Sequence, residues 1–148
     1  MSDTIIAGLA LLVSVINVVL YFRLQGKYNK MTKTQMLTEQ GAIETQVRNS
    51  ISDATKEVSH YAIEVEKNPG SKVTQQVYFT AEEMYRNAYE DACAKYLDRK
   101  IDVERFEKMY KQEIYKLVND PQQKEFYATN QTTYASTVAV YKSWFSNS

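Results

Sequence analysis

The sequence predicts an all-α protein with an amino-terminal transmembrane helix, a long coiled-coil-like stalk helix and a small helical cytosolic domain. Glycine and proline are scarce, at four and two residues in 148, which favours long helices over a sheet. Apolar residues recur at steps of three and four along most of the chain, as they do on one face of a helix. We place the span and its basic flank at 1–33, the stalk at 34–68 and the cytosolic domain at 69–148.

The predicted span is an apolar run of 18 residues, 5–22, with the sequence IIAGLALLVSVINVVLYF and no charged side chain. At about 1.5 Å of rise per residue, such a helix reaches roughly 27 Å and crosses a hydrocarbon core. A signal peptide would instead begin with basic residues, whereas Asp3 precedes this run. A core helix in so small a chain would not be apolar on all sides over this length. We therefore predict a single membrane span.

Basic residues follow the span directly, and no acidic residue occurs between the span and Glu39. They are Arg23, Lys27, Lys30 and Lys33. Because lysine and arginine collect on the cytoplasmic side of a span, we expect the amino terminus outside and the carboxy-terminal domain in the cytoplasm. The single cysteine, Cys93, agrees with a reducing compartment.

Small and polar residues share one face of the predicted span, at steps of 3, 4, 3 and 4. They are Ala7, Ala10, Ser14, Asn17 and Tyr21. Small residues let helices approach closely, and an asparagine amide in hydrocarbon seeks a hydrogen-bond partner. Ala10, Ser14 and Asn17 are therefore our candidates for the face of a membrane homo-oligomer. The alternative is a lone span that tolerates an asparagine near its inner third.

Residues 34–67 contain no proline and are predicted to form one long helix, the stalk. The apolar residues of this helix form a narrow stripe that resembles a coiled-coil seam with one interruption. They are Ile43, Val47, Ile51, Ala54, Val58, Tyr61 and Val65. The stripe could pair with a second copy of the chain or fold back on the distal domain.

A proline and a glycine mark a turn at 68–71. The segment 72–79 after this turn could be a connector or a lead into the next helix. Thr80 and Glu83 match a capping box, in which a hydroxyl and a carboxylate satisfy first-turn amides. We therefore predict a helix that begins at Thr80 and runs to about Arg99.

Further helices complete the predicted cytosolic domain. The acidic pair Glu90 and Asp91 is expected on the solvent side of its helix, and Asp102 is expected to cap a helix over 103–118. The buried face of that helix comprises Val103, Phe106, Tyr110, Ile114 and Leu117. Pro121 is well placed at the first position of a last helical stretch. Three or four helices then form a compact antiparallel bundle.

The residues needed for catalysis or metal binding are missing from the sequence. The single histidine, His60, lies far along the chain from Cys93, so no catalytic triad is predicted. One histidine argues against a zinc site within a chain, and the isolated glycines form no phosphate-binding loop. We predict no enzyme activity, no catalytic residue, no metal and no cofactor. Basic and acidic residues balance at 18 each, so no global field points to double-stranded DNA.

Basic and aromatic residues interleave between Tyr96 and Lys116. Basic side chains bind phosphates and aromatic rings stack on bases, so the pattern favours an anionic nucleotide ligand. Our candidates are Arg86, Arg99, Lys100, Arg105 and Lys108 for phosphate contacts, with Tyr96 or Tyr110 for stacking. The alternative is a solvated helix face over a tyrosine-rich core, because acidic residues dilute the cluster and the tyrosines have core spacing.

A resemblance is carried by segment 87–102, NAYEDACAKYLDRKID, followed by Phe106, Tyr110, Glu113 and Ile114. This pattern resembles small bacterial proteins with one amino-terminal span and a helical cytosolic domain. The overall plan is also similar to that of the small membrane effectors that accompany type III CRISPR systems. In those effectors a cytosolic domain binds a cyclic oligoadenylate and signals to the membrane segment. The resemblance implies the bacterial inner (plasma) membrane as the location and a cyclic oligonucleotide as the ligand.

We therefore expect an oligomeric membrane effector or sensor whose helical domain binds an anionic nucleotide signal and acts on the membrane in antiviral defence. The rotational symmetry of a cyclic oligonucleotide suits an oligomeric receptor. The rival hypothesis is a membrane-tethered adaptor. In that case the helical domain docks another protein, and the span only localises it.

If the polar face of the span works in assembly, Asn17→Leu weakens oligomerisation or activity while membrane insertion stays intact. The substitution removes the amide that would seek a partner in hydrocarbon. Cross-linking in membranes measures assembly, and a membrane-extraction assay measures insertion. A variant that is silent in both assembly and activity would identify the span as a passive anchor.

Overall fold

The computed structural model describes residues 2–128 and 132–146, with side chains from Asn17 onward within those ranges. Five helices follow one another: α1 (Ser2–Lys67), α2 (Lys72–Leu97), α3 (Val103–Asn119), α4 (Lys124–Tyr127) and α5 (Ala135–Phe145). No strand occurs within the described ranges, so the predicted all-α class is confirmed.

The chain divides into two compact units, residues 1–39 and 40–148. The first unit contains the amino-terminal part of α1, and its described side chains, from Asn17 to Glu39, are all exposed. Across the described residues, no helix combines the length and the apolar character needed to cross a membrane. Most of the predicted span, residues 5–16, lies outside the residues with described side chains, and so do Ala10 and Ser14 of the predicted oligomer face.

The second unit includes the carboxy-terminal part of α1, residues 40–67, together with α2 to α5. Three residues of the predicted stalk stripe are buried in its core: Val47, Ile51 and Ala54. The sequence left two partners open for this stripe, a second copy or the distal domain. Val47, Ile51 and Ala54 belong to one core cluster with residues of the distal helices, and Ile43 packs against that cluster.

α2 begins at Lys72 rather than at Thr80, so the predicted capping box is wrong. Ser71 is the N-cap, and its hydroxyl accepts a hydrogen bond from the Thr74 N–H at 3.2 Å. Thr80 lies inside the helix, where its hydroxyl donates to the carbonyl oxygen of Gln76 at 3.0 Å. Serine is at least as good an N-cap as threonine, so the earlier hydroxyl after the turn begins the helix.

α3 and its neighbours form the core much as the apolar spacing predicts. Four predicted positions of α3 are buried: Phe106, Tyr110, Ile114 and Leu117. The fifth, Val103, is 38 % exposed in the first turn of the helix. Asp102 caps α3 as predicted, because its carboxylate accepts the Arg105 N–H at 2.9 Å. Full burial of a side chain such as Ile114 stabilises the domain by about 1.5–3 kcal/mol.

Pro121 does not begin a helix, which corrects the prediction made for it. Residues 121–123 form turns, and α4 begins only at Lys124. The Asp120 carboxylate accepts a hydrogen bond from the Gln122 N–H at 2.8 Å, a local contact that competes with helix formation. The short α4 then places Tyr127 in the core.

Glu90 of α2 caps the amino terminus of α5, which corrects its predicted place on the solvent side. The cap residue of α5, Tyr134, makes no side-chain cap bond. Instead, Glu90 Oε1 accepts the Ser136 N–H at 2.8 Å. Glu90 Oε2 accepts both the N–H and the hydroxyl of the buried Thr137 at 2.9 Å. A carboxylate at this position satisfies unpaired amides and interacts favourably with the helix dipole.

We expect Glu90→Gln to lower the free energy of unfolding by about 1–2 kcal/mol, because the cap loses its charge and part of its acceptor capacity. Denaturant unfolding of the full chain in detergent, followed by circular dichroism, measures the loss. Asp91→Asn is the matched control. Asp91 is exposed and pairs only with Lys95, so the change should stay below about 0.5 kcal/mol. Equal losses of unfolding free energy in the two variants would contradict the role of Glu90 as the cap of α5.

Candidate functional site

Two of the residues predicted to bind phosphate are in ion pairs. Lys100 Nζ lies 2.9 Å from a carboxylate oxygen of Asp98, and Arg105 Nη1 lies 2.7 Å from one of Glu44. Both basic side chains remain exposed, so these pairs are screened by solvent and individually weak. Lys108 is exposed on α3. The paired carboxylates nevertheless reduce the positive potential that a phosphate would meet here.

Arg99 ends α2 in a left-handed backbone conformation, with a φ of 56°. It follows the C-cap residue Asp98 in a Schellman motif. The Lys100 N–H donates to the Lys95 carbonyl at 2.9 Å, and the Arg99 N–H donates to the Tyr96 carbonyl at 3.0 Å. Glycine is the usual residue at such a position, because an L side chain is strained there.

The predicted stacking residues, Tyr96 and Tyr110, belong to an aromatic cluster in the core. The Tyr96 ring lies 5.3 Å from both Phe106 and Trp144, and its hydroxyl accepts the Trp144 Nε1–H at 3.0 Å. Tyr110 is buried, with its ring 4.9 Å from Phe106 and 6.3 Å from Tyr89. Burial raises the pKa of Tyr110. Both rings therefore contribute to packing within the domain.

The structure brings some of the predicted ligand residues together and separates others. Tyr96 and Arg99 line one open cleft beside the α2–α3 connection. Asp102 and Glu104 line the same cleft, so its charge is mixed. Arg86 makes its contacts elsewhere, with residues in and beside α4 and α5.

Arg86 is buried, with only 5 % of its surface exposed. Its Nη1 donates to Gln123 Oε1 at 2.6 Å, and its Nε donates to the Tyr134 hydroxyl at 3.3 Å. The guanidinium also lies over the Phe126 ring, 4.0 Å from the centroid, which is a cation–π contact. Gln123 Nε2 donates in turn to Glu82 at 2.9 Å. Arg86 is thus held inside the domain by neutral groups.

A groove lies between α1 and α2 within the second unit, with a volume of about 440 Å³. Its apolar lining comprises Ala54, Tyr61, Val77, Ala81 and Met84. On α2, Val73 precedes Val77 by one helical turn and is 75 % exposed, so it extends the same face. On α1, the half-buried Val58 and Val65 continue the stripe. We name this feature the docking groove.

Acidic side chains supply the charge of the docking groove. Asp53 and Glu57 line it from α1, and none of its described lining residues is basic. Lys56 pairs with Asp53 at 2.9 Å, but both side chains are highly exposed and the pair is weak. The α1 stripe is readable from the sequence. The sequence did not predict the α2 side of the docking groove, because residues 72–79 at the start of α2 were not assigned to a helix.

Among the described residues of the second unit, the docking groove and the contacts of Arg86 are candidate binding features. Cys93 is buried in the core, and burial raises the pKa of its thiol to about 12. No group of three or more His, Cys, Asp or Glu side chains that could hold a metal occurs in the part of the chain described. No family model, curated protein or solved structure matches this chain.

We expect Arg99→Gly to raise the free energy of unfolding by about 0.5–1 kcal/mol, because glycine adopts a positive φ without strain. The matched control is Arg99→Ala, which removes the same guanidinium but keeps a Cβ and should give no gain. Denaturant unfolding of the full chain in detergent distinguishes the two. A gain shared by both variants would mean that the guanidinium, and not the backbone, is unfavourable.

Proposed function

We propose that this protein is a membrane-tethered docking module. The start of α1 holds it at a bilayer, and the docking groove binds a helix of a partner protein. The groove carries the proposal, because contiguous apolar surface left exposed on a small domain is typical of an interaction site. Val73 and Met84 on its α2 wall are 75 % and 53 % exposed.

Exposed apolar side chains on α1 support the membrane tether. Leu20 and Phe22 are 49 % and 68 % exposed at the end of the uncharged run 5–22, and Leu24, just after Arg23, is 66 % exposed. Moving such surface from water into lipid is favourable by about 25 cal/mol per Å². The basic residues after the run, beginning with Arg23, support a cytoplasmic position for the second unit.

Charge complementarity favours a basic amphipathic helix as the occupant of the docking groove. A helix with apolar residues three and four apart would bury them against the groove lining. Asp53 and Glu57 would then face lysine or arginine on the flank of that helix. A symmetric pair of copies joined through this groove would instead bring two acidic rims together. The partner is therefore a different protein.

The sensor of an anionic signal, with cyclic oligoadenylate as the ligand expected from the resemblance, is the second candidate function. Its specific support is Arg86, a buried cation held by neutral groups. The surface residues support it less. Lys100 and Arg105 are ion-paired, and Tyr96 packs against core aromatic rings. We therefore rank docking first.

Photo-cross-linking from the groove tests the docking function in native membranes. Thr80→Cys introduces an exposed thiol in the groove lining, and a maleimide photo-cross-linker attaches there because Cys93 is buried. We expect one discrete protein adduct. Adding Met84→Lys removes an apolar contact and repels a basic helix, so the adduct should fall about tenfold, equivalent to about 1.4 kcal/mol of binding free energy.

Met109→Lys is the matched control, because Met109 lies on α3 and is 42 % exposed against 53 % for Met84. It should leave the adduct yield unchanged. Equal losses of adduct yield in the two lysine variants would contradict the docking groove as the surface that contacts the partner. An adduct of twice the chain mass would identify a second copy as the occupant and contradict a separate partner.

A further inference from the structure

Arg86 is a buried cation whose described contacts are all uncharged. A guanidinium has five N–H donors, and the hydrogen bonds of Arg86 engage only Nε and Nη1. The acceptors are the Tyr134 hydroxyl and the Gln123 amide oxygen, and neither carries a negative charge. Among the described residues, no carboxylate lies within 4.0 Å of its nitrogens. Buried charges are normally paired, so this arrangement calls for an anion.

Tyr127 adds an unsatisfied donor close to the same cluster. It is 5 % exposed, and its hydroxyl is a buried polar atom with no hydrogen-bond partner among the described residues. Its ring lies 5.4 Å from that of Tyr134, which contacts Arg86. Burial raises the pKa of the Tyr127 hydroxyl, and the Arg86 charge opposes that rise, so the two groups interact electrostatically.

The acidic residues of α2 do not supply the missing charge. Glu82 reaches Arg86 only through Gln123, whose amide stands between the two ions. Both carboxylate oxygens of Glu90 are engaged at the start of α5. A water molecule could satisfy the Tyr127 hydroxyl, but it would leave the guanidinium charge uncompensated. An oxyanion provides several acceptor lone pairs and the opposite charge together.

We propose that Arg86, Tyr127 and Tyr134 form a binding site for a small oxyanion, either a phosphate or a carboxylate group. The anion accepts hydrogen bonds from the guanidinium and from the two hydroxyls, because Tyr134 accepts from Arg86 and keeps its own proton to donate. The site is separate from the docking groove. It rests on the second candidate function, the anionic sensor, and it names the chemistry of the ligand.

Ligand binding at this site would join three parts of the domain. Arg86 belongs to α2, Tyr127 to α4, and Tyr134 is the cap residue of α5. A bound anion would therefore hold α4 and the start of α5 against α2. Because an anion that binds only the folded state stabilises it, thermal unfolding reports on occupancy.

Thermal unfolding of the full-length protein in detergent tests the site. At constant ionic strength, sodium chloride is replaced in part by inorganic phosphate, acetate or adenosine monophosphate. At a concentration of about ten times the dissociation constant, the ligand should raise Tm by about 3 °C above the chloride value. A rise with phosphate and the nucleotide supports a phosphate site, and a rise with acetate alone supports a carboxylate site.

Tyr127→Phe separates binding from folding. It removes a hydroxyl that has no partner, so Tm without ligand should stay unchanged or rise, while the anion-dependent rise is largely lost. Tyr115→Phe, at an exposed tyrosine of α3, is the matched control and should keep the full rise. Equal Tm values in chloride and in all three anions would overturn the proposal. An equal rise in the wild type and in Tyr127→Phe would overturn it too. Either result leaves the docking groove untouched.

Discussion

The contact between Glu90 and the start of α5 is the constraint on which the rest of the second unit depends. α5 has no side-chain cap of its own, and its first amides are satisfied by a carboxylate 46 residues earlier in the chain. Once that end is fixed, the helix places Trp144 beside Tyr96 at the other end. Its cap residue, Tyr134, lies beside Arg86. The aromatic core and the buried cation both follow from the register of α5 on α2.

Glu44 makes the same kind of carboxylate contact at the start of α3. Its carboxylate accepts the Asp102 N–H at 2.9 Å and pairs with Arg105. Helix amino termini attract carboxylates, so acidic residues that look solvent-facing in the sequence become contacts between helices. Arg105 stands beside one of these carboxylates, and this gives part of the basic pattern a structural explanation.

What the sequence could predict depended on how far apart the interacting residues stand. The buried stripe of α3 and its Asp102 cap are local features, and their spacing suffices. The N-cap of α2 was harder to predict, because the hydroxyls of Ser71 and Thr80 both precede residues that can form a helix. The contact of Glu90 with Ser136 has no local signature at all. The burial of Arg86 was partly predictable. Its position one helical turn before the buried Tyr89 indicates the buried face of α2, whereas its charge indicates exposure.

The two candidate sites share α2 but contact different sides of it. Met84 lines the docking groove, whereas Arg86, two residues later, contacts Gln123 and Tyr134. Residues two apart on a helix point in nearly opposite directions. A partner helix in the groove and an anion beside Arg86 would therefore not compete for the same space.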